Sequence, residues 1–108
     1  MTFPDHDLRA KRSNFADFLN IPTATCPGFA KMAEIAKVPC IATYLIKNNN
    51  KFELTIDEPK MLDFNNASSW LNNWLEPIVI KYPEQYFWLH RRFKTRPKGQ
   101  ISLYKNLK

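Results

Sequence analysis

Apolar positions change period along the chain, and each change marks an element. Phe29, Met32, Ala33 and Ala36 fall at i, i+3, i+4 and i+7, the single apolar stripe of a helix. That helix is predicted to start near Thr25 or Cys26, with Pro27 in its first turn, and to end near Lys37. Val38–Ile46 is rich in β-branched and aromatic side chains and reads as a buried strand. Lys51–Asp57 alternates strictly, placing Phe52, Leu54 and Ile56 on one side. Asn48, Asn49 and Asn50 turn the chain between these strands, and Glu58-Pro59 ends the second. Trp70, Leu71, Trp74, Leu75 and Ile78 then resume helical spacing, behind Asn66 or Ser68 as the cap. Pro77 should kink or end that helix, because it has no N–H for the i→i−4 bond. Pro83 opens a further short helix in which Tyr86, Leu89 or His90, and Phe93 share a face and read as core together with Trp88. Asn14–Leu19 alternates loosely, as a short strand would. Residues 1–12 and those beyond Pro97–Gly99 read as loop or extended chain.

The predicted order is helix, strand, strand, helix, helix, an α/β class with an incomplete sheet. Two strands alone are marginally stable, and the chain opens in what reads as the middle of a loop. Both features lead us to expect a segment of a larger domain.

Composition narrows the possibilities. The 108 residues suffice for one small domain, and 44% hydrophobic with 14% aromatic residues supports a core. No stretch approaches the roughly 20 apolar residues that span a bilayer. The N-terminus has neither the basic start nor the apolar centre of a signal peptide. Cys26 and Cys40 are too few for a disulfide framework or a zinc site and read as small buried apolar residues.

The net charge is +6, and residues 1–84 are almost neutral. The excess lies in Arg91, Arg92, Lys94, Arg96, Lys98, Lys105 and Lys108, with no acid after Glu84. Such a concentration points to an anionic partner: a phosphate, a nucleic acid, an acidic protein or an anionic lipid surface.

Catalytic motifs are absent from the sequence. His6 and His90 are the only histidines, and Lys11 and Thr95 stand five positions after them. Neither histidine therefore begins an His-x4-Asp or His-x4-Glu pair. A phosphate-binding glycine loop, a nucleophile elbow and a paired-cysteine metal motif are also missing. Asp5, His6 and Asp7 are adjacent and on an extended loop would point in different directions, so we expect no metal there. No catalytic residue, metal or cofactor is assigned. In Pro83–Pro97 aromatics and bases interleave, as in a single-strand nucleic-acid binder or in a helix that packs its apolar side and projects its arginines outward.

The stretch Pro83–Pro97, with Trp88, His90, Arg91 and Arg92 in that order, resembles the C-terminal signature of the bacterial lipid A biosynthesis acyltransferases. Pro4-Asp5-His6-Asp7 is similar to the family's Pro-Asp-Gln-Asp loop. Phe18–Gly28 is similar to its Phe-Phe-Gly-x-Pro-Ala-x-Thr-x-x-Gly stretch. The sequence departs from the pattern at Arg9, where the family commonly has glycine, and at Pro27, where it commonly has threonine.

The resemblance implies the C-terminal part, residues 1–108, of a lysophospholipid-acyltransferase-like sheet-and-helix domain. It implies a fatty acyl group passed from acyl carrier protein to a Kdo-bearing lipid A precursor at the cytoplasmic face of the bacterial inner membrane. The family's base and its carboxylate belong to an upstream His-x4-Asp/Glu motif, so this chain alone is expected to be an inactive fragment or half of a split enzyme. If the chain nevertheless turned over, His6 would be the first suspect for the base. By the same resemblance Asp5, Asp7, Thr23, Thr25 and Gly28 line the donor or acceptor cleft. Arg91, Arg92, Lys94 and Arg96 meet the precursor's phosphates or the acidic carrier protein. A nucleic acid is not expected.

Overall fold

A computed structural model describes residues 1–104; Lys105 and Lys108 of the basic tail lie outside the described residues. The chain forms β1 (Asn14–Phe18), β2 (Ile21–Thr25), α1 (Gly28–Ala36), β3 (Thr43–Asn48), β4 (Lys51–Ile56) and α2 (Ala67–Lys81), with short 3-10 turns at Ala10–Arg12 and Pro83–Gln85. Among the described residues the strands pair as two antiparallel hairpins, β1–β2 and β3–β4, so the class is α/β with two small sheets. The Cα radius of gyration is 14.8 Å, against about 13 Å for a compact domain of this length. The molecule is a slab, only 20 Å thick in its shortest direction.

The first hairpin is denser in strand than the sequence pattern suggested. β1 is the loosely alternating stretch, but Ile21–Thr25, read as the approach to a helix, is its antiparallel partner. The connection is Leu19-Asn20, both with positive φ (52° and 62°), the twist that a two-residue hairpin loop requires. Asn accepts that geometry readily. Leu does not, and its position is held by contact with the core and by its N–H donating to Glu76 Oε2 at 3.0 Å.

α1 begins at Gly28 after Pro27, and ends where Lys37 turns left-handed at φ 55°. Its inward residues are Ala30 and Ala33; Met32 is exposed. The expected strand from Val38 is delayed. Val38–Ala42 is irregular apart from a bridge between Cys40 and Lys60, and β3 starts at Thr43. Pro39 explains the delay, since it cannot donate to a ladder. The second hairpin pairs the two strands antiparallel, with Leu45 opposite Leu54 and Lys47 opposite Phe52.

α2 continues through Pro77 to Lys81. Pro77 and Asn73, whose carbonyl loses its i+4 donor, are both exposed, so that carbonyl is not sealed from solvent. The helix expected from Pro83 to Phe93 is not present. Only Pro83–Gln85 is helical, in 3-10 form, and the chain then turns through Phe87–His90. The hydrophobic core is small: Phe18, Val79 and Phe93 are buried together, with Leu19, Ile21, Leu75, Tyr86 and Tyr104 packed around them. Cys26 and Cys40 are half-buried free thiols.

Candidate functional site

A polar hub lies beside this core, where β1, β2, α2 and the turn after His90 meet. Arg92 is its centre, with 1% of its surface exposed. Its guanidinium donates to Ala24 O at 2.5 Å, Thr25 Oγ1 at 3.0 Å and Asn72 Oδ1 at 3.1 Å, while its positive carbon lies 5.6 Å from the Phe18 ring centre. Asn72 donates in turn to Ala16 O at 3.2 Å and Thr25 Oγ1 at 2.9 Å, and the Ser68 hydroxyl donates to Thr25 O at 3.3 Å. The Arg92 cation therefore ties its own turn to β2 and α2, and through Asn72 to β1, with hydrogen bonds in place of the water that burial removes. Burial opposes the Arg92 charge; Tyr86, Asp5 and Asp7 favour it.

A second set of bonds clasps the N-terminal loop to the same turn. Asp7 Oδ2 accepts from Thr95 N–H at 2.7 Å, and Oδ1 accepts from the Thr95 hydroxyl at 2.8 Å and from Arg9 N–H at 3.0 Å. The Asp7 N–H donates to His90 Nε2 at 2.9 Å, which requires that nitrogen to be unprotonated. Burial pushes His90 down from its ordinary value, helped by His6, whose ring centre is 4.4 Å away, and this outweighs the pull of Asp5 and Asp7. Burial raises Asp7, but the bonds from Thr95 and Arg9 and the charge of Arg92 together carry it below the usual carboxylate value. Burial, then Asp5, pushes the Tyr86 hydroxyl up to about 12, and among the described residues it has no hydrogen-bond partner.

In front of these groups lies a cavity of about 440 Å³ between the N-terminal loop, β3 and α2. Asp5 lines it together with Tyr44, Ile46, Ile78, Tyr86 and Phe87. Its walls are mainly apolar and its size suits a ligand of several hundred daltons. The arrangement is therefore an apolar cleft with one carboxylate and one high-pKa phenol, backed by a rigid, charge-balanced clasp. Among the described residues no group of three potential ligands could hold a metal.

The residues expected at a site separate into three sets. Asp5 and Asp7 are brought together with His90, and Asp5 reaches the cavity. Thr23, Thr25 and Arg92 are buried within the scaffold, so Arg92 does not project toward an outside phosphate. Arg96 likewise donates to Pro22 O at 2.8 Å and Gln100 Oε1 at 2.6 Å. Both departures follow from the missing helix, because the turn directs Arg92 and Phe93 inward together while Arg91 and Lys94 on either side stay exposed. Gly28 opens α1, where an added Cβ would meet only Cys26 Sγ at 3.4 Å, so its conformation does not demand glycine. Arg91 and Lys94 are exposed, and Arg91 lies over the Tyr104 ring. Trp88, expected in the core, is 45% exposed.

Thr95 and Asn72 were not singled out by their sequence context. A signal for Asn72 exists: Ser68, Asn72, Leu75 and Val79 share one helical face, and polar residues there mark a buried network. Arg9 carries its own signal. Its φ of 73° with ψ of 164° is a region almost reserved for glycine, the residue that the resembled family commonly has there.

Residues 1–95 match the family described as bacterial lipid A biosynthesis acyltransferase. The chain is 34% identical over 108 residues to the lipid A biosynthesis palmitoleoyltransferase of Escherichia coli K12, covering 94% of this chain and 35% of that protein. It is 31% identical over 109 residues to the lauroyltransferase of the same organism, covering 94% and 35%. It is 34% identical over 101 residues to a lipid A biosynthesis acyltransferase of Haemophilus influenzae, covering 90% and 32%. The chain thus spans about a third of the length of the curated relatives it matches.

Proposed function

The chain belongs to the bacterial lipid A biosynthesis acyltransferase family, and from that premise we propose that it forms the supporting part of a lysophospholipid-acyltransferase-like domain. That domain moves a fatty acyl group from acyl carrier protein to a Kdo-bearing lipid A precursor at the cytoplasmic face of the bacterial inner membrane. In this reaction the acceptor hydroxyl gives its proton to a base and attacks the thioester carbonyl. The C–S bond then breaks, and the departing thiolate takes a proton. The base is supplied by an His-x4-Asp/Glu pair that this sequence does not contain. His90 cannot replace it while its Nε2 accepts from Asp7 N–H.

The observation that carries the reading is the family match combined with the apolar cleft of about 440 Å³ edged by Asp5. Such a cleft shelters a hydrocarbon chain from water, and Asp5 at its edge orients a hydroxyl or carrier amide by accepting a hydrogen bond. Asp7 acts by holding the loop that carries Asp5. A nucleic-acid role is disfavoured, because Arg92 and Arg96 are committed inside the protein.

The test is transfer of radiolabelled acyl groups from acyl carrier protein to a Kdo-bearing acceptor. We expect no turnover by the 108-residue chain alone, and turnover when it is co-expressed with a family segment bearing the His-x4-Asp/Glu pair. Robust turnover by the chain alone would overturn the supporting role and direct attention to His6. Failure of the mixture despite a folded complex would overturn the cleft assignment.

A further inference from the structure

Three consecutive bulky apolar residues, Phe87, Trp88 and Leu89, occupy an exposed turn, and Leu89 is 85% exposed. The turn is well made: His90 N–H donates to Phe87 O at 3.2 Å, and Trp88 Nε1 donates to Pro83 O at 2.6 Å. These side chains are therefore presented outward by a fixed backbone. A run of this kind in water is unfavourable unless something covers it.

The chain that follows it is one-sided in charge, while Asp5 and Asp7 of the N-terminal loop lie on its cleft side, beside Phe87 and His90. From Gln85 to Tyr104 there is no acidic residue. Arg92 and Arg96 are used internally, but Arg91, Lys94 and Lys98 are exposed. Among the described residues the ion pair recorded is Lys31–Glu34, far along the chain from all three. Arg91 lies over the Tyr104 ring, and Phe93 N–H donates to Tyr104 Oη at 3.1 Å, which brings the chain at Tyr104 beside Arg91. Phe87 also lines the cavity of about 440 Å³, so the patch is continuous with the cleft mouth.

We propose that the Phe87–Leu89 turn, followed along the chain by exposed Arg91, Lys94 and Lys98, is the surface by which this protein sits on an anionic bilayer, the aromatics entering the headgroup layer and the cations meeting lipid phosphates. Tryptophan and phenylalanine suit that layer, being apolar bodies at a polar boundary. Long cationic side chains reach phosphates while their stems cover apolar surface. A lipid substrate then passes from the bilayer into the cleft along Phe87 without crossing water. Another exposed apolar surface, Leu45, Phe52, Leu54 and Ile56 on β3–β4, has Lys47 opposite Phe52 but also exposed Glu53, Asp57 and Glu58 in the same stretch, so its charge is mixed. The inference extends the membrane side of the proposed function, but its readout needs no acyl transfer, so the two fail separately.

The experiment is co-sedimentation of the 108-residue chain with vesicles of phosphatidylglycerol and of phosphatidylcholine. Binding is expected to phosphatidylglycerol, to weaken as salt rises, and to be at least about tenfold weaker on phosphatidylcholine. Replacing Arg91, Lys94 and Lys98 together by Gln should weaken it roughly hundredfold, and Leu89→Ser about tenfold. Leu89 touches too little to affect folding, and circular dichroism verifies each variant. Vesicles should blue-shift the tryptophan emission of the parent but not of Trp88→Phe, leaving Trp70 and Trp74 as internal controls. Undiminished binding by both charge and Leu89 variants, or loss of binding in Phe52→Ser, would overturn the proposal. So would capture by polyglutamate beads without any vesicle binding, which would assign the patch to an acidic protein.

Discussion

The two hairpins have the same strand count and opposite means of support. β1–β2 is knitted into α2 and the Arg92 turn by buried, charge-assisted hydrogen bonds, and Phe18, Thr23, Ala24 and Thr25 are fully buried. β3–β4 is attached at few points. Ile46 is buried, Tyr44 meets the Trp74 edge at 5.9 Å, and Trp74 Nε1 donates to Asp57 Oδ2 at 2.9 Å. The Gln85 amide clamps the free edge at Lys47, accepting from its N–H at 2.7 Å and donating to its carbonyl at 3.0 Å. Every residue of β4 is exposed. A buried polar network makes a region rigid and intolerant of change, whereas an uncovered sheet tolerates change and opens easily.

The comparison is broken most severely at Arg92. Arg92→Leu strands the acceptors of Ala24, Thr25 and Asn72, and should cost about 3 kcal/mol or more in urea unfolding. Arg92→Lys should recover little, because one ammonium cannot reproduce the fork. Asn72→Ala removes the link between α2 and β1 and should cost about 2 kcal/mol, measured in the same way. Asp7→Ala should cost about 1–2 kcal/mol and speed amide hydrogen exchange at Thr95 and Arg9 without affecting β4.

Acid should act on the first region alone. Both His90 and Asp7 titrate below their ordinary values of 6.5 and 3.8, so the unfolded chain binds more protons than the folded one as pH falls. Stability from His90 is complete above pH 6.5 and is lost as pH falls below it toward the folded value. The contribution of Asp7 is lost in the same direction below pH 3.8. Unfolding midpoints measured against pH should fall through these windows, and the upper window should vanish in His90→Gln.

Arg9→Gly sharpens the contrast from the stabilising side. It relieves a backbone conformation that costs a side chain about 1 kcal/mol, and thermal melts should rise accordingly. The smallest effect belongs to the second hairpin. Leu54→Ser should alter stability by no more than about 0.5 kcal/mol while raising solubility, as light scattering would show.

Local periodicity made α1, β4 and most of α2 legible, because a 3.6-residue or two-residue repeat records which side of an element meets the core. The turn at Asn49 was legible for a similar reason, since Asn tolerates its φ of 55°. β2 was obscured by Pro22 and by a Leu-Asn loop without the usual glycine signal. The expected helix from Pro83 failed because Tyr86 and Phe93 satisfy the spacing while facing the same core from a turn. Among the candidate site residues, the family resemblance singled out Asp5 and Asp7, while charge gave no direction for the arginines.

Sequence alone determined the family, the concentration of positive charge after Glu84, and the helical and alternating segments, because these depend on residue identity and near neighbours. Tertiary structure decided which charges are available. Arg92 and Arg91 are adjacent in the chain, yet one is sealed against Ala24, Thr25 and Asn72 while the other remains in solvent. That choice rests on partners between 20 and 68 residues away, and a buried cation persists only where such distant groups converge to replace water.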